Sequence, residues 1–197
     1  MLGTASAHWD ARRRYRTGMT DRTRAAGLRR RQLGNWVNLS TPLGLAVARL
    51  GGAEVRRGPR GLLLADGYRL GFPLASAFTI GNVLLTSASW DELDRTRPGL
   101  LQHEEAHTWQ WLAWAGLPFL PAYGVCLVWS VLRSGDVGAH NAFERRAGLL
   151  LGGYRELPPR PLRPAVQNAV RSRRAQRALR QAQGASAGPG SLWFRRP

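Results

Sequence analysis

His103-Glu104-Glu105-Ala106-His107 sits inside a run, Pro98 to Gly116, that reads as one helix. Pro98 stands where a helix starts and Gly116 where one stops, and Leu100, His103, His107, Trp111 and Trp114 recur between them at three- and four-residue spacings. Residues four apart on a helix lie one turn above one another, so the His103 and His107 imidazoles can aim at one ion. Zinc in a catalytic site takes three protein ligands and acidifies a water, and a carboxylate beside the histidines removes the proton. Glu104 is the residue placed for that role. The chain has four histidines, and two are spent on this spacing.

A third ligand must come from elsewhere in the chain. Downstream, the segment from about His140 to Leu151 reads as a helix that Gly152-Gly153 ends, and it contains His140-Asn141-Ala142-Phe143-Glu144-Arg145-Arg146-Ala147. Glu144 is the first choice, with His140 and then Asp136 as alternatives by ligand chemistry. For a developing oxyanion, Tyr123, His140 and Tyr154 are each candidate donors. Gln110, three residues after His107, falls near the same helix face.

Upstream, Ser40, Thr41 and Pro42 open a short helix through Leu43, Leu45, Val47 and Leu50 that stops at Gly51-Gly52. Between Glu54 and Ser87, glycines and prolines separate short β-prone runs. Leu62 to Ala65, Tyr68 to Leu70 and Ala77 to Leu85 read as strands, with Asp66-Gly67 as a hairpin turn. The expected fold class is therefore α+β, a small antiparallel sheet followed by the motif helix and the glutamate helix.

An H-E-x-x-H helix followed by a glutamate on a later helix resembles the gluzincin branch of zinc metallopeptidases. More narrowly, the run from Thr79-Ile80-Gly81-Asn82-Val83 through His103 to Gln110, Gly116, Phe119 to Tyr123 and Asn141-Ala142-Phe143-Glu144 looks like small bacterial proteins. The resemblance covers roughly residues 35–155. It implies a Zn2+ held by His103, His107 and Glu144, with Glu104 as general base, and a peptide or protein substrate. It also implies that Phe78 to Leu85 takes the substrate backbone by strand addition. Many gluzincins place a supporting carboxylate four residues after the third ligand; position 148 is Gly, so orienting a histidine falls to Asn141, Asp136 or a carbonyl.

The chain has 197 residues, 44% hydrophobic and 21% charged, enough for one domain with extensions. Its net charge of +17 comes entirely from Arg and sits at the ends. Residues 1–32 carry nine Arg against Asp10 and Asp21, residues 156–197 nine Arg against Glu156, and residues 33–155 eleven Arg against nine acids. The expected organisation is a flexible basic arm (1–32), a zincin-like metal-binding domain (33–155) and a basic tail (156–197) with one helix over 164–183. The arginine ends lack interleaved aromatics or a reading motif, which argues against nucleic acid and for solvated tails.

Cys126 is the single cysteine, which excludes an internal disulfide and a cysteine-based structural zinc site and fits a reducing, cytoplasmic setting. The N-terminus carries no clean secretory signal, and Met19 offers an alternative start. From Thr108 to Leu132 there are twenty-five uncharged residues, four of them Trp. Gly116, Pro118, Pro121 and Gly124 break that stretch too often for a membrane span. It reads either as a buried hairpin beside the metal site or as a peripheral membrane contact. The rival to a peptidase is a catalytically inactive zinc-binding protein, or one associated with membrane or nucleic acid through its arginine ends.

Overall fold

Short apolar runs and frequent glycines give a sheet of four-residue strands with helices before and after it. The computed structural model describes residues 21–73 and 75–161, together with Arg171 and Arg174. In chain order come α1 (Asp21–Val37), α2 (Ser40–Leu50), β1 (Glu54–Arg57), a 3-10 turn (Pro59–Gly61), β2 (Leu63–Asp66), β3 (Ala77–Ile80) and β4 (Val83–Thr86). They are followed by α3 (Trp90–Thr96), α4 (Leu100–Ala113), α5 (Phe119–Ser134) and α6 (Ala142–Ala147). The fold is α+β.

The sheet runs in the order β1-β2-β4-β3, so β4 lies inside it and β3 forms an edge. Side chains alternate across a strand, and β4 uses both faces. Leu84 joins Leu62, Leu64, Trp90, Leu93 and Leu100 under α3 and α4. Val83 and Leu85 join Ala65, Tyr68 and Ala48 under α2. A third cluster, Trp111, Phe119 and Phe143, binds α4, α5 and α6 together. Trp111 Nε1 donates to the Thr79 carbonyl (2.8 Å), which fixes the motif helix against the edge strand.

Several expectations are corrected. The sheet is mixed, because β2 and β4 run parallel with Leu63 opposite Val83. The hairpin turn lies at Gly81-Asn82, which splits the 77–85 run into two strands, and not at Asp66-Gly67. Gly81 has φ 61°, and a Cβ there would meet the Ser40 and Thr41 backbone at 2.4–2.8 Å, so the turn requires glycine. Tyr68 to Leu70 forms no strand; the Tyr68 N–H is spent on the Thr86 carbonyl at the end of β4. β1 leaves no strand signal in the sequence because Glu-Val-Arg-Arg carries no apolar alternation: it is an exposed edge strand, with Arg56 paired to Asp66 and Asp91.

Residues 21–32, expected within a loose arm carrying at most one frayed helix, belong to helix α1. The reason is a buried ion pair: the fully buried Arg31 guanidinium reaches Glu105 on α4 (2.8 Å) and the Arg60 carbonyl (2.5 Å). Asn35, also buried, donates to Asn82 Oδ1 (3.0 Å) and to the Thr108 carbonyl (2.9 Å), tying α1 to the β3–β4 turn and to α4. The glutamate helix is shorter than 140–151, because Gly148 (φ 97°) ends it after six residues. Residues 1–20 and most of the expected 164–183 helix lie outside the described residues.

Candidate metal centre

α4 spends each of three successive residues on a different neighbour. His103 and, one turn on, His107 face α6, Glu104 faces β3, and Glu105 faces α1 and Arg60. The short helix α6 enters at Asn141, whose side chain caps it by accepting from the Phe143 N–H (3.0 Å). That start drives Phe143 into the third core cluster and turns Glu144 toward the histidines. His103, His107 and Glu144 are all buried, and one ligand atom from each lies within 4.8 Å of the others.

The hydrogen bonds fix both imidazole tautomers. His103 Nδ1 lies 3.1 Å from the Gly148 carbonyl, which can only accept, so Nδ1 carries the proton. His107 Nδ1 lies 2.8 Å from Gln110 Oε1, and Gln110 Nε2 donates to the Phe143 carbonyl (2.9 Å), which identifies Oε1 as an acceptor. In its neutral form each imidazole therefore presents the Nε2 lone pair inward. The two Nε2 atoms are 3.1 Å apart, and Glu144 approaches them with Oε2 3.0 Å from His103 and Oε1 3.6 Å from His107. Glu144 Oε2 is buried and accepts no hydrogen bond.

Three buried acceptors converging on one point repel each other unless a cation sits among them. With protein groups alone, that cation is a proton on His107. Burial lowers the His107 pKa, but the nearby Glu144 carboxylate and the charge of Glu104 prevail and raise it to about 9. Burial raises Glu144 in turn, yet the two imidazoles and the Tyr123 hydroxyl hold it well below the usual carboxylate range. One proton serves only part of the cluster. A metal ion serves all three atoms, and the donor set of two imidazoles and a carboxylate suits zinc. The residues therefore fit such an ion.

Glu104 accepts from the Thr79 hydroxyl (2.7 Å) and is buried. Burial raises its pKa, and the opposing pull of His107, Thr79 and His103 does not cancel that rise. Tyr123 on α5 donates to Glu144 Oε1 (2.6 Å), and the Tyr154 ring stands 6.2 Å from that of His103. Burial and the Glu144 charge raise both phenols above their ordinary value, so both stay protonated donors.

Of the expected residues, the structure brings together His103, Glu104, His107, Gln110, Tyr123, Glu144 and Tyr154. It leaves out the alternatives. His140 Nε2 is spent on the Leu157 carbonyl (3.0 Å), and Asp136 caps the turn after α5 by accepting from the Gly138 and Ala139 N–H groups (2.8 Å each). Neither Asn141 nor Asp136 orients a histidine; the Gly148 carbonyl does. Two contributors carried no side-chain signal. The Gly148 carbonyl holds His103, and Gly152 lies so close to the His103 ring that a Cβ would come within 2.5 Å of Cε1. Their only trace in the sequence is glycine spacing. The chain matches no family model, no curated protein and no solved structure.

Proposed function

We propose that this chain is a zinc-dependent metallopeptidase of the gluzincin kind, with His103, His107 and Glu144 as zinc ligands. The single observation that carries the reading is the inward convergence of two histidine Nε2 atoms and an unsatisfied Glu144 Oε2 in a buried cluster. When bound, zinc supplies Lewis acidity toward water and toward a substrate carbonyl. Glu104 is the general base: its raised pKa brings it nearer the working pH, and the Thr79 hydroxyl holds its carboxylate in one orientation.

Tyr154 is the favoured donor to a developing oxyanion, because the Tyr123 hydroxyl is already committed to Glu144 and His140 points to Leu157. The edge strand β3 carries Thr79 beside Glu104, so a peptide reaching that edge passes the catalytic carboxylate, with the Thr79 carbonyl itself already taken by Trp111 Nε1. The test is digestion of an unfolded-protein or peptide library by zinc-loaded protein, with products read by mass spectrometry. Cleavage is expected in wild type and lost in Glu104→Gln at equal zinc content. Cleavage equal in both proteins overturns the role of Glu104, and zinc retention without cleavage in either favours a binding protein.

A further inference from the structure

Helix α5 has its polarity inverted. The stripe facing the protein, Phe119, Tyr123, Cys126, Ser130 and Ser134, contains its hydroxyls, with Ser130 Oγ donating to the Asp136 carbonyl and Ser134 Oγ to the Ser130 carbonyl. The opposite stripe, Pro121, Val125, Val128 and Leu132, recurs at the same spacings and is wholly apolar. Val125 is 70% exposed and Val128 57%, and exposed Trp129 and Val131 flank them. Leu120, Leu117 and Trp114 extend the patch past the N-terminal end of the helix. A surface helix in water turns its polar side outward, and an apolar patch this continuous marks a contact with something apolar.

The edges of the patch indicate what that contact is. At its C-terminal end the Arg133 guanidinium lies over the Trp129 ring (5.6 Å), and the Arg160 side chain lies against Gly135. Of the acids in the neighbouring segments, Asp136 binds backbone N–H groups and Glu144 is buried among the histidines, while Glu156, four residues before Arg160, is exposed. An apolar face with Trp near its rim and Arg133 and Arg160 at its edge matches an anionic lipid surface. A net charge of +17 opposes pairing with a second copy of the chain and favours that surface. With sixteen residues, α5 is about 24 Å long, and among the described residues no helix is long and apolar enough to cross a membrane.

We propose that the outer face of α5, with Trp114 and Leu117 at its leading end, lies in the interfacial layer of an anionic membrane, with Arg133 and Arg160 at lipid phosphates. Tyr123 on the inner stripe bonds Glu144, so docking holds the metal centre about one helix diameter, ~10 Å, from the lipid.

The test uses the full chain with vesicles of phosphatidylglycerol and phosphatidylcholine, and of phosphatidylcholine alone. Sedimentation is expected with the anionic vesicles, and brominated acyl chains are expected to quench wild-type fluorescence more than that of Trp129→Phe. The double variant Val125→Asp/Val128→Asp, both at exposed positions, should keep its far-ultraviolet circular dichroism and bind anionic vesicles at least about tenfold more weakly. Binding unchanged in that variant, with no Trp129 quenching, overturns the proposal in favour of the arginine ends alone. Absence of vesicle binding overturns it, as does a wild-type dimer that the double variant disrupts while neither protein binds vesicles.

Discussion

Gly152→Ala is the sharpest perturbation of the candidate metal centre that leaves every proposed ligand in place. The added Cβ would stand 2.5 Å from His103 Cε1, 2.6 Å from Nε2 and 2.9 Å from Nδ1. Ordinary contact needs about 3.5 Å, so ring and backbone must part by about 1 Å. The ring has little freedom to do so, since Nδ1 is bonded to the Gly148 carbonyl and the opposite edge meets His107 with centroids 4.8 Å apart. Metal–ligand distances tolerate only about 0.2 Å, and disturbing the groups that orient a ligand costs roughly 10–100-fold in affinity. Overpacking of this kind costs a further 1–3 kcal/mol, roughly, in fold stability. A competition titration of stripped protein with zinc and a chromophoric chelator reads the affinity, and thermal melts read the stability. Gly71→Ala serves as control, because nothing lies within 4 Å of its added Cβ. Wild-type zinc affinity in Gly152→Ala would refute the reasoning, because His103 would then not be seated where its contacts put it.

Gln110→Leu removes the acceptor of the His107 Nδ1 proton, and zinc affinity in the same titration should fall roughly 10–100-fold, whereas Gln110→Glu should retain most of it. Glu105→Ala leaves Arg31 buried without its carboxylate, and should cost about 3 kcal/mol, the low end for such a pair because the Arg60 carbonyl remains. That is a melting point lower by roughly 6–12 °C. Chelator-treated protein should show a specific pH profile. The His107 pKa is raised from 6.5 to about 9, so its contribution is complete below 6.5 and disappears as pH rises through about 9. Glu144 is shifted down, so its contribution is present above the ordinary value of 4.5 and disappears as pH falls below it. Melting temperature without metal should therefore be greatest between those limits, and zinc should abolish the alkaline decline by taking the place of the proton. A melting temperature unchanged from pH 6.5 to 9 without metal contradicts this.

The parts of the fold that were legible in the sequence are those in which periodicity and chemistry coincide. His103, Glu104 and His107 advertise a helix and a site in the same five residues, and Glu144 follows because it and Asp136 are the only acids between His107 and Arg155. The sheet was legible as β-prone runs but not as a topology. The parallel β2–β4 pair arises because the Gly81-Asn82 turn folds β3 back along the edge, and that turn is selected by its contact with Ser40 and Thr41, forty residues away. Arginine-rich composition concealed α1, since nothing local shows that Arg31 meets Glu105 across 74 residues. The orienting groups of the histidines were hidden for another reason. Gly148 acts through its carbonyl and Gly152 through the space it leaves, and neither has a side chain to read. The apolar stretch 108–132 was visible, but its burial was not. The hairpin expected inside the core buries only one stripe of α5 and exposes the other.

His103, His107 and Glu144 are proposed to hold one metal ion together. Calorimetric titration of stripped full-length protein with zinc, alongside His103→Ala and Glu144→Ala, tests it most directly. A single site per wild-type chain is expected, accompanied by proton release as His107 gives up its proton, with loss of that site in both variants and the fold retained. A wild-type protein of unchanged fold that takes up no zinc, or variants that bind it as wild type does, would contradict it.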